Sequence, residues 1–229
     1  MGISVYITSF NKSKYISQAI DSVLDQTLKP IEIIIIDDQS TDDSREIINS
    51  YSTQYPDLIK PIYNENNVGI SNCRNIALET STGALITYLD ADDYYYPSKL
   101  EDEYIILRDN SNLSAVYSNF HYINDNSEIT GVFSSKKDKP ANGNMFINVF
   151  MGDYKVSSHK NIRCDMFYAH CIEKTGRYDA KLKIWEDWDF YIRFSKKFKY
   201  GYCPNINMAY RIHNEQISNF NTYANYKVR

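Results

Sequence analysis

The segment "IEIIII" at 31–36 constrains the fold more than any other. Five isoleucines in six positions do not suit a sheet with one face in water. Such a run fits a strand buried on both faces, and hence a parallel sheet covered by helices on each side. Other segments agree. "ISVYIT" (3–8), "ALITYL" (84–89) and "SAVYSNFHYI" (114–123) are further strand-like runs. Between the first two buried runs, Ile16, Ala19, Ile20, Val23 and Leu24 recur at the spacing of one helix face. A second helix is predicted around Ile47, Ile48 and Tyr51, a third from about Ser71 to Thr80, and a fourth opened by Pro97. Asn11 and Ser13 are candidate caps for the first helix, and Ser40 with Asp43 resembles a capping box for the second. "LIKPIYN" (58–64) suits an outer strand, because Pro61 cannot donate to a ladder. Strand–helix alternation of this kind predicts an α/β, Rossmann-like doubly wound, mainly parallel sheet with right-handed crossovers.

The pattern changes after residue 123. "NDNSEITGVF" predicts a turn and an edge strand, and the polar, breaker-rich 134–144 segment predicts a mobile loop. A short helix (144–152), a mixed stretch to Gly176, a helix containing "EDWDFYIRF" and a final strand in "INMAYRIHNEQISN" follow. With 229 residues, one domain with two lobes fits better than two separable domains. The lobes are expected at 1–123 and 124–215, with 216–229 as a tail.

A net charge of −4 argues against nucleic acid as the main partner. Cys73, Cys164, Cys171 and Cys203 lack zinc-ribbon or CxxC spacing and are expected to be reduced thiols of a cytoplasmic protein. No basic-then-apolar leader is evident at the N-terminus, and the apolar runs fall short of the roughly 20 residues that span a bilayer. Peripheral contact with the inner face of a membrane stays open. Lys155, Lys160 and Arg163 are candidates for it, although a solvated basic patch accounts for them as well.

In open α/β sheets, ligands bind at the carboxyl ends of the strands. Two buried runs here end in acid: "IIIIDDQS" with Asp37 and Asp38, and "ITYLDADD" with Asp90, Asp92 and Asp93. Singly, such acids are often turn or cap residues. As a cluster they repel one another unless a cation compensates. Alternation along an extended stretch would place Asp90 and Asp92 on one side. A hard divalent ion, Mn2+ or Mg2+, takes one or two carboxylates plus phosphate oxygens. A metal bridging this site to a diphosphate therefore accounts for the crowding. There is no GxxxxGK[ST] and no GxGxxG after the first strand, so diphosphate recognition falls to metal and basic side chains.

Five blocks carry a family resemblance: "VYITSFNKSKYISQAIDSVLDQT", "IIIIDDQSTDDS", "NNVGISNCRNIAL", "TYLDADDYYYP" and "WEDWDFYIRF". In this order, over about residues 3 to 213, they resemble the family-2 glycosyltransferases. The resemblance implies a GT-A fold with a smaller C-terminal acceptor lobe, a nucleotide-sugar donor (usually UDP-linked) and Mn2+ or Mg2+. It implies that Asp38 accepts a hydrogen bond from the nucleobase, that Thr8 and Phe10 line the base pocket, and that Arg74 lies near the nucleotide. It implies that Asp90 lies near ribose and metal, that Asp92 coordinates the metal, and that Asp187 is the catalytic base with Glu186 beside it. "YRIHNEQIS" resembles a C-terminal block whose His213 would approach the metal or diphosphate. The acceptor implied is a glycan or a lipid-linked sugar, in cell-surface polysaccharide synthesis. Residues 124–170 match no motif of the family.

The implied chemistry is transfer with inversion. The departing nucleoside diphosphate gathers negative charge, which a metal stabilises, while a carboxylate on the opposite face takes the acceptor's proton. The 134–144 segment is a candidate lid against water, with plain surface disorder as the alternative. Trp185 and Trp188 are candidates for stacking on an acceptor sugar, or for core packing. Rival readings are a nucleotidyltransferase, which should show a Gly-rich N-terminal loop, a phospho-acceptor signalling domain, and a sugar-nucleotide-binding protein without transferase activity. His121, His159 and His170 lack partners at metal-ligand spacing and are expected to be structural.

Overall fold

A computed structural model of the chain describes residues 2–153, 155, 165–214 and 216. Strand β1 (Ile3–Ser9) and strand β2 (Glu32–Asp37) are buried along their whole lengths. They pair in parallel, with Ile7 opposite Ile35. Strand β3 (Ile59–Tyr63) adds to β2 as the outer strand, and β4 (Leu85–Asp90) adds to β1, both parallel. Helix α1 (Ile16–Leu24) turns Ile16, Ala19, Ile20 and Val23 inward, as its spacing predicts. Helices α2 (Ser44–Gln54) and α3 (Ile70–Thr80) complete the wound half.

Two cap assignments are corrected. Neither α1 nor α2 has a side-chain cap; their capping positions are Tyr15 and Asp43. The polar residues instead staple two loops together. Backbone N–H groups of Asn11, Lys12 and Ser13 donate to Ser40 Oγ, Ser44 Oγ and Asp42 Oδ2, each at 2.9 Å. Thr41 N returns a bond to Asn11 Oδ1 at 2.8 Å. A short side chain with one acceptor can serve a neighbouring loop as readily as its own helix end, and here the loop wins.

The second half of the chain extends the same sheet. Strand β5 (Tyr94–Tyr95) comes first, then helix α4 (Lys99–Asp109), strand β6 (Ala115–Ile123) and strand β7 (Ile129–Val132). Helix α5 (Phe146–Met151), strand β8 (Met166–Tyr168), helix α6 (Cys171–Thr175), helix α7 (Glu186–Ser195) and strand β9 (Tyr200–Arg211) follow. The order across the sheet is β3-β2-β1-β4-β8-β6-β9-β5, with β7 also on β6. Only β5, β7 and β8 run against the rest, so the sheet is mainly parallel in strand direction. β5 and β8 are too short to show a period in sequence. β9 is longer than "INMAYR" and starts before Pro204. Its register slips there, Ser118 facing Cys203 and Asn119 facing Ile206, so Pro204 sits in a bulge where no donor is needed. Cys73, Cys171 and Cys203 are free, as expected, while Cys164 lies outside the described residues. No described helix is long and apolar enough to cross a membrane.

Beneath β4 and β6 lies a buried polar frame. Lys99 Nζ meets Glu103 Oε2 at 2.8 Å, and Glu103 Oε1 accepts from Ser118 Oγ at 2.6 Å. Asp165 accepts from Tyr191 OH at 3.2 Å, and Tyr191 shares a 2.6 Å hydroxyl contact with Tyr88. Complete burial pushes the Asp165 carboxyl up to about 7, with the charge of Glu103 adding to the rise and Tyr191 and Lys99 opposing it. The sign follows from linkage. A carboxyl held above its unfolded value binds a proton more tightly in the native state, so its contribution is lost as pH rises from about 4 to about 7. Urea unfolding across that window should show Asp165→Asn flattening the decline relative to wild type, by on the order of 2–4 kcal/mol.

Candidate active site

The carboxyl ends of β1, β2 and β4 open on one cleft of about 430 Å³, closed on its far side by the start of α7. Thr8, Phe10, Asp38, Arg74, Asp90, Asp92, Glu186 and Asp187 all line it. His213 stands directly behind, with Nε2 3.0 Å from Asp92 Oδ2. The residues to which the resemblance gives donor, metal or base roles are thus in or against one cavity.

The two acids after β2 do different things. Asp37 is fully buried and takes Arg45 Nε at 2.6 Å and Ser40 N at 3.0 Å, a structural arrangement. Asp38 faces the cleft and accepts three donors at 2.8 Å: Asn64 Nδ2 and Val68 N on Oδ1, Gly69 N on Oδ2. Gly69 has φ +85°, open to glycine at little cost, which lets its N–H turn toward the carboxylate just before α3 begins. Asp38 therefore shapes the loop that leads into α3.

Helix α3 then reaches across the cleft. Ser71, Arg74 and Asn75 lie on one face by their i, i+3, i+4 spacing. Ser71 Oγ donates to Leu182 O at 2.6 Å, and Asn75 exchanges two 2.9 Å bonds with the backbone of Tyr178. Arg74 is the central member, 3% exposed. Its Nη1 donates to Glu186 Oε1 at 3.0 Å and its Nη2 to Asp90 Oδ1 at 3.4 Å. The guanidinium lies 4.9 Å from the Tyr88 ring centre and 5.4 Å from that of Tyr178. Burial alone would lower its proton affinity, but Asp90 and Glu186 raise it well above the ordinary arginine value.

Asp90 ends β4, and the chain turns at 91–92, with Asp93 N bonded back to Asp90 O at 3.0 Å. Asp90 and Asp92 reach one cleft through a turn rather than by strand alternation. Asp92 Oδ2 is held by Lys12 Nζ at 2.8 Å and by His213. Burial would raise this carboxyl; the His213 bond and the Lys12 charge bring it down to about 2. The turn is fixed by Arg211, 1% exposed, whose Nε donates to Asp92 O at 2.8 Å and whose backbone N donates to Asp93 Oδ1 at 2.7 Å.

Helix α7 starts at Glu186, after Trp185 in a left-handed conformation at φ 65°. That conformation is strained for a bulky side chain. Trp185, 44% exposed, lines the cleft, while Trp188 donates its indole N–H to Val149 O at 2.7 Å and so ties α5 to α7. Burial raises the Glu186 carboxyl, Arg74 opposes that, and the neighbouring Asp187 adds to it. Asp187 is half-buried on the cleft wall, with Oδ1 accepting Trp188 N at 2.7 Å.

No group of three or more His, Cys, Asp or Glu among the described residues could hold a metal ion on its own. The donor set fits a shared site instead. Asp90 Oδ1 and Asp92 Oδ2 are engaged as above, whereas no described hydrogen bond engages Asp90 Oδ2 or Asp92 Oδ1. Two hard oxygens completed by phosphates suit Mg2+ or Mn2+. Lys12 and Arg211 escape the sequence reading, although both stand inside quoted blocks. No residue of 134–144 lines the cleft. Ser134 N is held by Asn119, and the isolated bridge of Gly143 to Tyr200 ties the other end. His121 bonds Tyr96 OH at 2.9 Å and His170 stacks on Tyr168, both in structural surroundings. Lys155 is exposed; His159, Lys160, Arg163 and the tail beyond 216 lie outside the described residues.

The sequence profile described as Glycosyl transferase family 2 matches residues 4–213. A relative from Escherichia coli, the UDP-Glc:alpha-D-GlcNAc-diphosphoundecaprenol beta-1,3-glucosyltransferase WfaP, is 39% identical over 58% of this chain. This chain spans about half of that enzyme's length, 51%. The crystal structure of Staphylococcus aureus TarS 1-349 in complex with UDP-GlcNAc superposes with a TM-score of 0.74 at 17% identity, covering 94% of this chain and 60% of that one. A structure of GalNAc-T7 with UDP, GalNAc and Mn2+ gives 0.71 at 17%, covering 94% and 44%. These likenesses show a GT-A fold.

Arg74 joins the two sides of the cleft, and its loss should be costly. Arg74→Met leaves Glu186 and Asp90 without their shared cation, and should destabilise the protein by about 3 kcal/mol in urea unfolding at pH 7.

Proposed function

The chain belongs to glycosyl transferase family 2, and from that premise we propose that it moves a sugar from a nucleoside-diphosphate donor to an acceptor hydroxyl. The observation that carries this reading is the placement of Asp90 and Asp92 with Glu186 and Asp187 around one cleft. Acids able to seat a charge-neutralising cation, with a carboxylate able to accept a proton in the same cleft, are what glycosyl transfer requires.

The donor is proposed to be UDP-linked, in keeping with the ligands of TarS and GalNAc-T7. The acceptor is a glycan or a diphospholipid-linked sugar, the class named for WfaP, in cell-surface polysaccharide synthesis. Residues 1–123 supply the donor lobe and 124–215 the acceptor lobe. Thr8, Phe10 and Asp38 line the base pocket. Asp38 spends two acceptor sites of Oδ1 on the loop before α3, while Oδ2, which takes Gly69 N, is the oxygen offered to a base N–H.

Asp92 and Asp90, with His213 adjoining, would hold Mn2+ or Mg2+, which when bound supplies Lewis-acid stabilisation of the departing diphosphate. Arg74 keeps Asp90 aimed into the cleft and holds Glu186 back against the sheet. Asp187 is thereby the carboxylate of the pair that Arg74 does not engage, placed to take the proton from the acceptor hydroxyl. Attack from its side, opposite the leaving group, inverts the anomeric carbon. Trp185 offers an exposed aromatic face beside it for an acceptor ring.

Thermal stabilisation with UDP, GDP, dTDP and CDP, each with Mn2+, tests the donor: UDP should raise the melting temperature, and a response confined to GDP overturns the uridine assignment. Asp187→Asn should bind UDP with Mn2+ as wild type does. Its transfer to polyprenyl-diphosphate-linked GlcNAc, followed as UDP release, should fall about 10²–10⁴-fold. Near-normal turnover would remove Asp187 as the base. Asp92→Ala should abolish the gain in UDP affinity that Mn2+ confers, read by calorimetry with and without the ion.

A further inference from the structure

The cation beside Asp92 belongs to the chain itself. Lys12 Nζ lies 2.8 Å from Asp92 Oδ2, and both side chains line the cleft. The pair is not sealed in the core: the Lys12 side chain is 19% exposed and that of Asp92 12%. Below the side chain the backbone is fixed. Lys12 N is bonded to Ser44 Oγ, its neighbours to Ser40 and Asp42, and Lys12 O accepts from Tyr15 N and Ile16 N at the start of α1. A rigid anchor thus carries a flexible four-carbon stem ending in a compact charge.

Two cations cannot both sit on Asp92 without strong repulsion. Lys12 occupies Oδ2, so a divalent ion arriving on Oδ1 of the same carboxylate repels the ammonium across it and drives it toward another anion. A diphosphate brought by the donor is such an anion, within the same cleft, and no Gly-rich backbone cradle competes for it. Resting on the reading of this cleft as a nucleoside-diphosphate site, we propose that Lys12 is a tethered counter-ion that exchanges partners. It neutralises Asp92 when no divalent ion is bound, and it pairs with a diphosphate oxygen when the ion takes the carboxylate.

The consequence is reciprocal coupling. Metal alone binds weakly because it must expel Lys12; diphosphate rewards that expulsion; so each ligand strengthens the other. A merely structural ion pair would not produce this, since its removal would weaken every ligand or none.

Calorimetry on wild type, Lys12→Met and Lys12→Arg, with Mn2+ alone, UDP alone and UDP at saturating Mn2+, tests the exchange. Lys12→Met should bind Mn2+ alone about tenfold more tightly than wild type, while its affinity for UDP in the presence of Mn2+ falls about tenfold. Lys12→Arg should restore UDP binding and return Mn2+ alone toward the wild-type value. Unchanged Mn2+ affinity and unchanged coupling in Lys12→Met overturn the inference, as does a parallel loss of both ligands. Should Lys12→Met fail to fold by circular dichroism, Lys12→Gln serves in its place; failure of both neutral variants also overturns it, because an exchangeable counter-ion is dispensable to the fold. If wild type binds none of UDP, GDP, dTDP and CDP with Mn2+, the nucleotide reading itself has failed and takes this inference with it. If wild type binds and Lys12→Met matches it, only the role of Lys12 falls.

Discussion

One buried guanidinium joins the halves of this molecule. Arg74 leaves α3, passes between the rings of Tyr88 and Tyr178, and ends on two carboxylates 96 positions apart in sequence, Asp90 and Glu186. Burying a single charge this deeply would be prohibitive; burying it between two acids and two aromatic faces is not. The converse also holds. Asp90 and Glu186 face one cavity without mutual rejection because the cation lies between them. Ser71 and Asn75, on the same face of α3, fasten the backbone on the way to α7, so the helix that carries Glu186 and Asp187 starts where α3 permits.

The geometry of the cleft is therefore set indirectly. Asp38 shapes the entry to α3, α3 carries Arg74, and Arg74 orients Asp90 and restrains Glu186. Arg211 does the equivalent for the turn after β4, clasping the backbone of Asp92 and the carboxylate of Asp93. The side chains that face the cleft are held by a layer of buried polar residues whose positions the sheet determines, which is how precision is built on rigid elements.

Much of the first half is legible from sequence, for a physical reason. β1, β2 and β4 are buried on both faces, so their composition carries the signal directly, and Pro61 marks β3 as the outer strand. The acids are legible because like charges crowded at the end of a greasy strand repel one another until something cationic compensates them. The rest depends on contacts no local pattern encodes. β5 and β8 exist only because partners on β9, β4 and β6 are there to receive them. The supposed caps Asn11, Ser13 and Ser40 serve a loop about thirty residues away. Lys12 and Arg211 are ordinary basic residues in sequence; only the tertiary structure brings one to the Asp92 carboxylate and the other to its carbonyl.

The last described strand does not lie at the margin. β9 inserts between β6 and β5, and Arg211 and His213 at its far end reach back to Asp92. A chain emerging from the ribosome can assemble β1 to β4 long before residue 200 has been made, yet the pocket beside Asp92 stays unfinished until the insertion is complete. The clasp on Asp92 is thus among the last parts of the cleft to form, after α7 and the acids at its start have already been made.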